Sequence, residues 1–279
     1  MNSDVSRRNL LKLASAAIPL GILGVPLDAC LNQAAAQSGE PTISQTFPSH
    51  PSEMVRETVL VAHFNLKRLK ELVEAHPALA RAAWDWGFGD WESALGAASH
   101  MGNRPIAEYL ISQGARPTLF SATMFGQLEV VKAFIAAQPG AKRIRGPHSI
   151  SLLAHARYGG PAAKPVFDYL ESLGGADADP EAPLAEADRA TLLGTYSFGH
   201  GATEQIDVTL EHNAFLKIDQ LTWTRKGTMG RPLYHLGDRV FFPAGAQAVR
   251  VKFTSPDEGR ATVMTVSDGN FTLTVKRNA

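Results

Sequence analysis

The sequence predicts an α+β, multidomain protein, with a helical repeat array followed by a small antiparallel β barrel or sandwich. Three observations carry this. A frame of Leu, a small residue three positions on and Gly seven positions on recurs at Leu95/Ala98/Gly102, Leu119/Ala122/Gly126 and Leu153/Ala156/Gly160. Later, apolar and polar side chains alternate with period two over 206–210, 249–253 and 271–275, the pattern of half-buried strands. Between the two patterns, residues 174–183 are small, acidic or proline, which reads as a boundary.

Length and charge bound the rest. The 279 residues suit about two domains at roughly 150 each. With 44% hydrophobic residues and 27 basic against 27 acidic, extensive disorder is excluded. The neutral balance also argues against an obligate nucleic-acid binder, which carries a basic face. The single cysteine allows no internal disulfide.

The first element is an export signal at residues 1–36. Ser6-Arg7-Arg8-Asn9-Leu10-Leu11-Lys12 precedes a mostly apolar run, and small residues follow. The Arg7-Arg8 pair before two leucines and a lysine resembles the twin-arginine class of signal peptides, which export folded proteins to the periplasm or beyond. Pro19, Gly21, Gly24 and Pro26 interrupt a run already short for a bilayer span, so no membrane span is expected in the mature chain. Cleavage after Ala36 fits ordinary signal peptidase, while Leu27-Asp28-Ala29-Cys30 offers lipidation at Cys30 as the minority alternative. Removal of residues 1–36 leaves 24 basic and 25 acidic residues, a net charge of −1.

A linker at 37–53 leads into the repeat array at 54–177. Beyond each frame Gly an apolar helix is expected, as in Ile106, Tyr109 and Leu110 or Val130, Phe134 and Ile135. An earlier copy shows in Val59, Ala62, Leu66, Leu69 and Leu72, with Asn65 near the turn. A small residue lets neighbouring helices cross closely, and a Gly accepts positive φ at the turn. One such pair cannot bury its apolar face alone, whereas stacked copies can. The Leu-x-x-Ala-x-x-x-Gly frame and the Gly114-Ala115 ending resemble ankyrin repeats, about four of them. The family's Thr-Pro-Leu-His opening is degenerate, its His position holding Gly96, Phe120 and Ala154. A tetratricopeptide stack is the alternative. Frame-to-frame steps of 36, 24 and 34 residues suggest that one connecting finger is nearly absent.

Three of the four tryptophans fall in Trp84-Asp85-Trp86-Gly87-Phe88-Gly89-Asp90-Trp91, within the finger between the first two copies. Trp84, Trp86, Phe88 and Trp91 are the candidate partner-binding residues, because aromatic residues anchor interfaces. The competing expectation is local packing of a Gly-rich hairpin onto the adjacent helices.

A second linker at 178–190, with a short helical turn over 184–191, precedes the β domain at 191–279. Breaks at His212-Asn213, Gly227, Gly237-Asp238, Pro243 to Gly245 and Asp268-Gly269 suggest a closed antiparallel meander. Leu233-Tyr234-His235-Leu236-Gly237, Val240-Phe241-Phe242-Pro243 and 249–253 resemble the accessory β domain of β-lactamase-like serine hydrolases. The Ser-x-x-Lys motif of the catalytic partner in that class has no counterpart here.

No nucleophile elbow, phosphate loop or His-Glu-x-x-His motif is present, so no catalytic residue, cofactor or metal is expected. A zinc site needs three or four ligands converging in space, and no His spacing favours one. His100 and His155 are expected to hydrogen-bond between neighbouring repeats, and the Lys142-Arg143-x-Arg145 cluster to be a solvated finger. The function expected is that of an exported, non-catalytic scaffold binding another protein through its repeats. The alternative is small-molecule binding or enzymatic work in the β domain, with Tyr196, His200, Trp223, Tyr234 and His235 as candidates.

Overall fold

The computed structural model describes residues 46–177, 182–213, 218–257 and 259–278. The export signal expected from Arg7 and Arg8, the cleavage expected after Ala36 and the alternative lipidation at Cys30 all fall outside the described residues. The chain is an α+β protein that divides into a helical unit ending at Asp179 and a β unit beginning at Pro180.

In the helical unit the helices come in four consecutive pairs. These are α1 (Ser52–Val61) with α2 (Leu66–Ala75), and α3 (Ala94–His100) with α4 (Arg104–Ser112). Then come α5 (Leu119–Phe125) with α6 (Leu128–Ala137), and α7 (Leu152–Tyr158) with α8 (Lys164–Ser172). Hydroxyl residues start the short helices: Ser93, Thr118 and Ser151 accept from the backbone N–H of Gly96, Ser121 and Ala154. Each satisfies one of the donors that a helix start leaves unpaired. Asn65, expected near a turn, caps α2 by accepting from Arg68 N.

Small residues in these helices allow close stacking. Ala94, Ala97 and Ala98 of α3 are fully buried, and α3 packs against both α1 and α5. Gly102 and Gly126 take positive φ of 65° and 76°, and a Cβ at either would sit within 2.2 Å of a backbone oxygen in a neighbouring turn. The frame glycine at these positions is therefore required twice, by φ and by approach.

Two of the three connections between pairs are long. Between α2 and α3 run a 3-10 turn (Pro77–Arg81) and a hairpin of β1 (Ala83–Asp85) and β2 (Trp91–Ser93). Between α6 and α7 run 3-10 turns at Pro139–Arg143 and Pro147–Ser149. From α4 to α5 only residues 113–118 intervene, which accounts for the 24-residue step in the frame.

The β unit opens with helix α9 (Glu186–Leu192) and continues as strands β3 (Gly194–Ser197), β4 (Gln205–Asn213), β5 (Ile218–Arg225) and β6 (Arg231–Gly237). Strands β7 (Val240–Pro243), β8 (Arg250–Thr254), β9 (Val263–Asp268) and β10 (Phe271–Arg277) complete it. All neighbours are antiparallel and β10 pairs with β3, so the meander closes into an eight-stranded barrel rather than a sandwich. The period-two pattern supplies the interior: Val251 and Phe253 of β8 face Met264 and Val266 of β9 among buried residues. Closure leaves no free strand edge.

The barrel interior is occupied by side chains, including Tyr196, Phe241, Phe253 and Leu192. Tyr196 Oη donates to Leu192 O at 2.8 Å, and the Arg277 guanidinium lies 5.6 Å from the Tyr196 ring. Arg277 Nη1 also donates to Thr191 O and Ala261 O, tying α9 to the closing strand. Arg277 therefore works as a plug at the seam, its charge spent on carbonyl oxygens.

Candidate functional site

The strongest convergence of chemistry lies in the helical unit, around one carboxylate. Glu92, in β2 of the first finger, is fully buried. Its Oε1 lies 2.8 Å from His100 Nε2. Its Oε2 accepts from Trp86 Nε1 at 2.8 Å and lies 3.5 Å from both His63 Nε2 and His148 Nε2.

Local structure explains each placement. His63 follows α1, where its Nδ1 meets Val59 O and Leu60 O at 3.1 and 3.0 Å. His100 is the last residue of α3, beside the end of α1, so stacking the pairs brings the two rings to 4.9 Å. His148 sits in the connection between α6 and α7, the second finger of the helical unit, in the left-handed region with φ 58° and ψ 23°. That backbone is held by Asp90, whose carboxylate accepts from His148 N and engages His148 Nδ1, both at 2.9 Å. Strained backbone fixed by a buried carboxylate is a common property of functional positions.

Four ligand-type residues, His63, Glu92, His100 and His148, thus offer atoms all within 4.8 Å of one another. No metal was expected from sequence; the four residues stand at 63, 92, 100 and 148 in the chain, and only the stacking of helix pairs and connections assembles them. Two signals were available: His63 lies two residues past the first helix of its pair and His100 ends the first helix of the next, and Glu92 is an acidic residue next to the aromatic run of the finger.

Charge is distributed unevenly across the cluster. Burial works against ionisation of Glu92, but the surrounding imidazoles outweigh it and hold the carboxyl well below its usual range. Burial likewise opposes charge on His148, yet Asp90 and Glu92 prevail and lift it to about 9. Burial dominates at His63 and brings it to about 4, and does the same at His155. Glu92 is therefore held toward the carboxylate and His148 toward the imidazolium, while His63 and His155 are held toward the neutral ring.

This distribution has a consequence for stability. His148 contributes stability that is complete below about pH 6.5 and is lost as pH rises through about 9. His63 and His155 act oppositely: unfolded imidazoles take up protons that the folded ones refuse, so stability falls as pH drops from about 6.5 toward 4. Glu92 adds to the acid loss. The urea midpoint of the helical unit, measured with chelator present, should peak near neutral pH and fall on both sides; a flat profile would contradict the assignment.

The sequence-predicted residues separate into two groups. Trp84 and Trp86 pack on the core of the helical unit, Trp86 also carrying the bond to Glu92 and the Arg56 guanidinium 5.7 Å from its ring. Trp91 and Phe88 are 64% and 37% exposed. His100 and His155 find their partners in the preceding hairpin and in the start of their own helix: Glu92 for His100, and Ser151 O, 2.7 Å from Nδ1, for His155. The expected bond between repeats is replaced because the finger and the helix start lie nearer than the next helix. In the basic cluster, Lys142 donates to Leu173 O.

The barrel candidates do not converge. Tyr196 is in the core, Tyr234 stacks on Phe242 with ring centroids 5.0 Å apart, and His235 Nδ1 meets Ala182 O at 3.2 Å. His200 is exposed, and Trp223 packs partly buried against the interior cluster.

No protein-family model, curated protein or solved structure matches this chain. Among the described residues, no helix is long and apolar enough to cross a membrane.

Proposed function

We propose that the protein is an exported, non-catalytic scaffold that binds another protein of the bacterial envelope through an ankyrin-like repeat array. The observation that carries this reading is the division of labour within one finger. Trp86 is anchored by the Glu92 hydrogen bond and core packing, while Trp91 stands 64% exposed on the same hairpin with Phe88 beside the turn. A large aromatic held out on a rigid support loses little entropy on binding, which is how interface anchors work. The twin-arginine-like start of the chain supports a periplasmic address for the folded protein. The filled barrel interior favours this reading over a small molecule held inside the β unit.

The test places a photo-crosslinking residue at position 91 in the full chain expressed in cells. One dominant adduct is expected from the envelope fraction. Trp91→Ala with Phe88→Ala should abolish capture of that same partner, probed from a second finger position, while melting shifts stay within those of ordinary surface substitutions, about 0.5 kcal/mol each. Trp86→Ala should instead destabilise the helical unit by about 3 kcal/mol, the cost of removing a packed Trp. Capture unaffected by loss of Trp91 and Phe88 would overturn the assignment of the finger.

A further inference from the structure

We propose that His63, Glu92, His100 and His148 form a binding site for one divalent transition-metal ion of the zinc class. The inference does not depend on the partner-binding reading.

Hydrogen bonding settles which nitrogens are available. His63 Nδ1 faces two carbonyl oxygens, which only accept, so Nδ1 carries the hydrogen and Nε2 is left for a ligand. His148 Nδ1 faces the Asp90 carboxylate, so it too carries hydrogen and turns Nε2 inward, where an entering ion would displace that nitrogen's proton to solvent. This is the arrangement by which metal-bound histidines are oriented, one by backbone carbonyls and the other by a carboxylate. The Asp90 clamp also fixes the His148 backbone, which removes the ring's freedom to swing away.

Two of the distances fit a shared ion better than direct contact. Both Nε2 atoms lie 3.5 Å from Glu92 Oε2, long for a hydrogen bond. Ligands at about 2.1 Å in a tetrahedron are about 3.4 Å apart, so these two spacings are already those of a ligand set. The 2.8 Å His100–Glu92 contact is a hydrogen bond whose Nε2 proton an entering ion would displace to solvent, the two atoms separating by about 0.6 Å. The donor set of three imidazoles and one carboxylate suits a borderline divalent ion, and disfavours calcium and magnesium, which want oxygen.

Burial leaves a route in. Glu92 and His100 are enclosed, whereas the His63 and His148 side chains keep 16% and 17% exposure. Nearby, His155 Nε2 is buried with no hydrogen-bond partner among the described residues, its ring 6.4 Å from that of His100. An ion here joins the end of α1, the first finger, the end of α3 and the second finger, and so clamps the stack across 85 residues of sequence from His63 to His148.

The experiment uses the full chain stripped with chelator, then titrated with zinc and, separately, cobalt(II). One equivalent should bind, cobalt should give the ligand-field bands of a tetrahedral nitrogen–oxygen site, and saturating zinc should raise the melting temperature by about 5–10 °C. His63→Gln and His148→Asn, the latter keeping a residue tolerant of left-handed backbone, should each weaken zinc at least about 10-fold, and Asp90→Asn about 10–100-fold. His212→Gln, on the exposed His212–Asp219 pair of the barrel, should change nothing. Failure of the unmodified, folded protein to take up either ion overturns the proposal. So does uptake that survives His63→Gln and His148→Asn, or that is lost equally with His212→Gln.

Discussion

Glu92→Gln should lower the melting temperature of the helical unit by about 10 °C. The substitution preserves volume and one acceptor, which either Trp86 Nε1 or His100 Nε2 can still use. It removes the charge that faces His148 and turns an amide N–H₂ toward groups that also donate. Breaking a buried ion pair by removing one partner costs about 3–5 kcal/mol, because the remaining charge is left in low dielectric. His148 limits the damage, since it retains Asp90 and can give up its proton, so the lower end applies. At about 2–4 °C per kcal/mol for a unit of this size, the shift is about 10 °C. Circular dichroism melting of the wild type and Glu92→Gln, both with chelator, makes the comparison. A shift below about 2 °C, the size expected of a surface change, would show that the carboxylate has little part in holding the finger.

Gly126→Ala should cost about 3 kcal/mol, and Gly160→Ala only about 1 kcal/mol, although both glycines occupy the same place in the repeated frame. Their backbone angles are nearly equal, φ 76° and 67°, so left-handed strain is common to the two. The surroundings differ. A Cβ on Gly126 would meet Ala162 O at 2.1 Å, a backbone atom that cannot rotate away, while one on Gly160 meets nothing within 4 Å. Gly102 belongs with Gly126, its Cβ falling 2.2 Å from Tyr158 O. Urea midpoints of the three alanine variants should therefore separate two and one. Equal midpoints would mean that the close approach between turns relaxes freely and that only φ matters.

Much of the architecture was legible because it is periodic. The Leu-small-Gly frame marked the starts of α3, α5 and α7 and the glycines that follow α3 and α5, and its irregular step located the missing finger between α4 and α5. Alternation over 249–253 and 271–275 placed β8 and β10, and turn residues placed most strand ends. Whether those strands formed a sandwich or a barrel was open, because alternation states which face is buried and not which strand pairs with the last. Pairing of Lys276 and Arg277 with Ser197 and Tyr196 closes the ring.

The candidate site was much less legible. Trp86 drew attention as an aromatic in a finger, yet its decisive partner, Glu92, is six residues on and looks like any charged strand residue. His148 has no local signature at all, because its orientation comes from Asp90, 58 residues earlier. His100 stood out as a lone histidine on a short helix, and only its neighbours at 63, 92 and 148 give it a chemical meaning.

By itself, then, the sequence determined the class of each half, the order of the elements, the neutral charge and the aromatic finger, since these follow from local spacing and composition. The tertiary structure alone decided that one buried carboxylate gathers three histidines, and which finger aromatics are anchored and which are displayed. The reason is physical: periodicity is a property of neighbouring residues in one element. Convergence of ligands depends on how the ends of separate helices and fingers stack, and each of those separations in space is independent of separation along the chain.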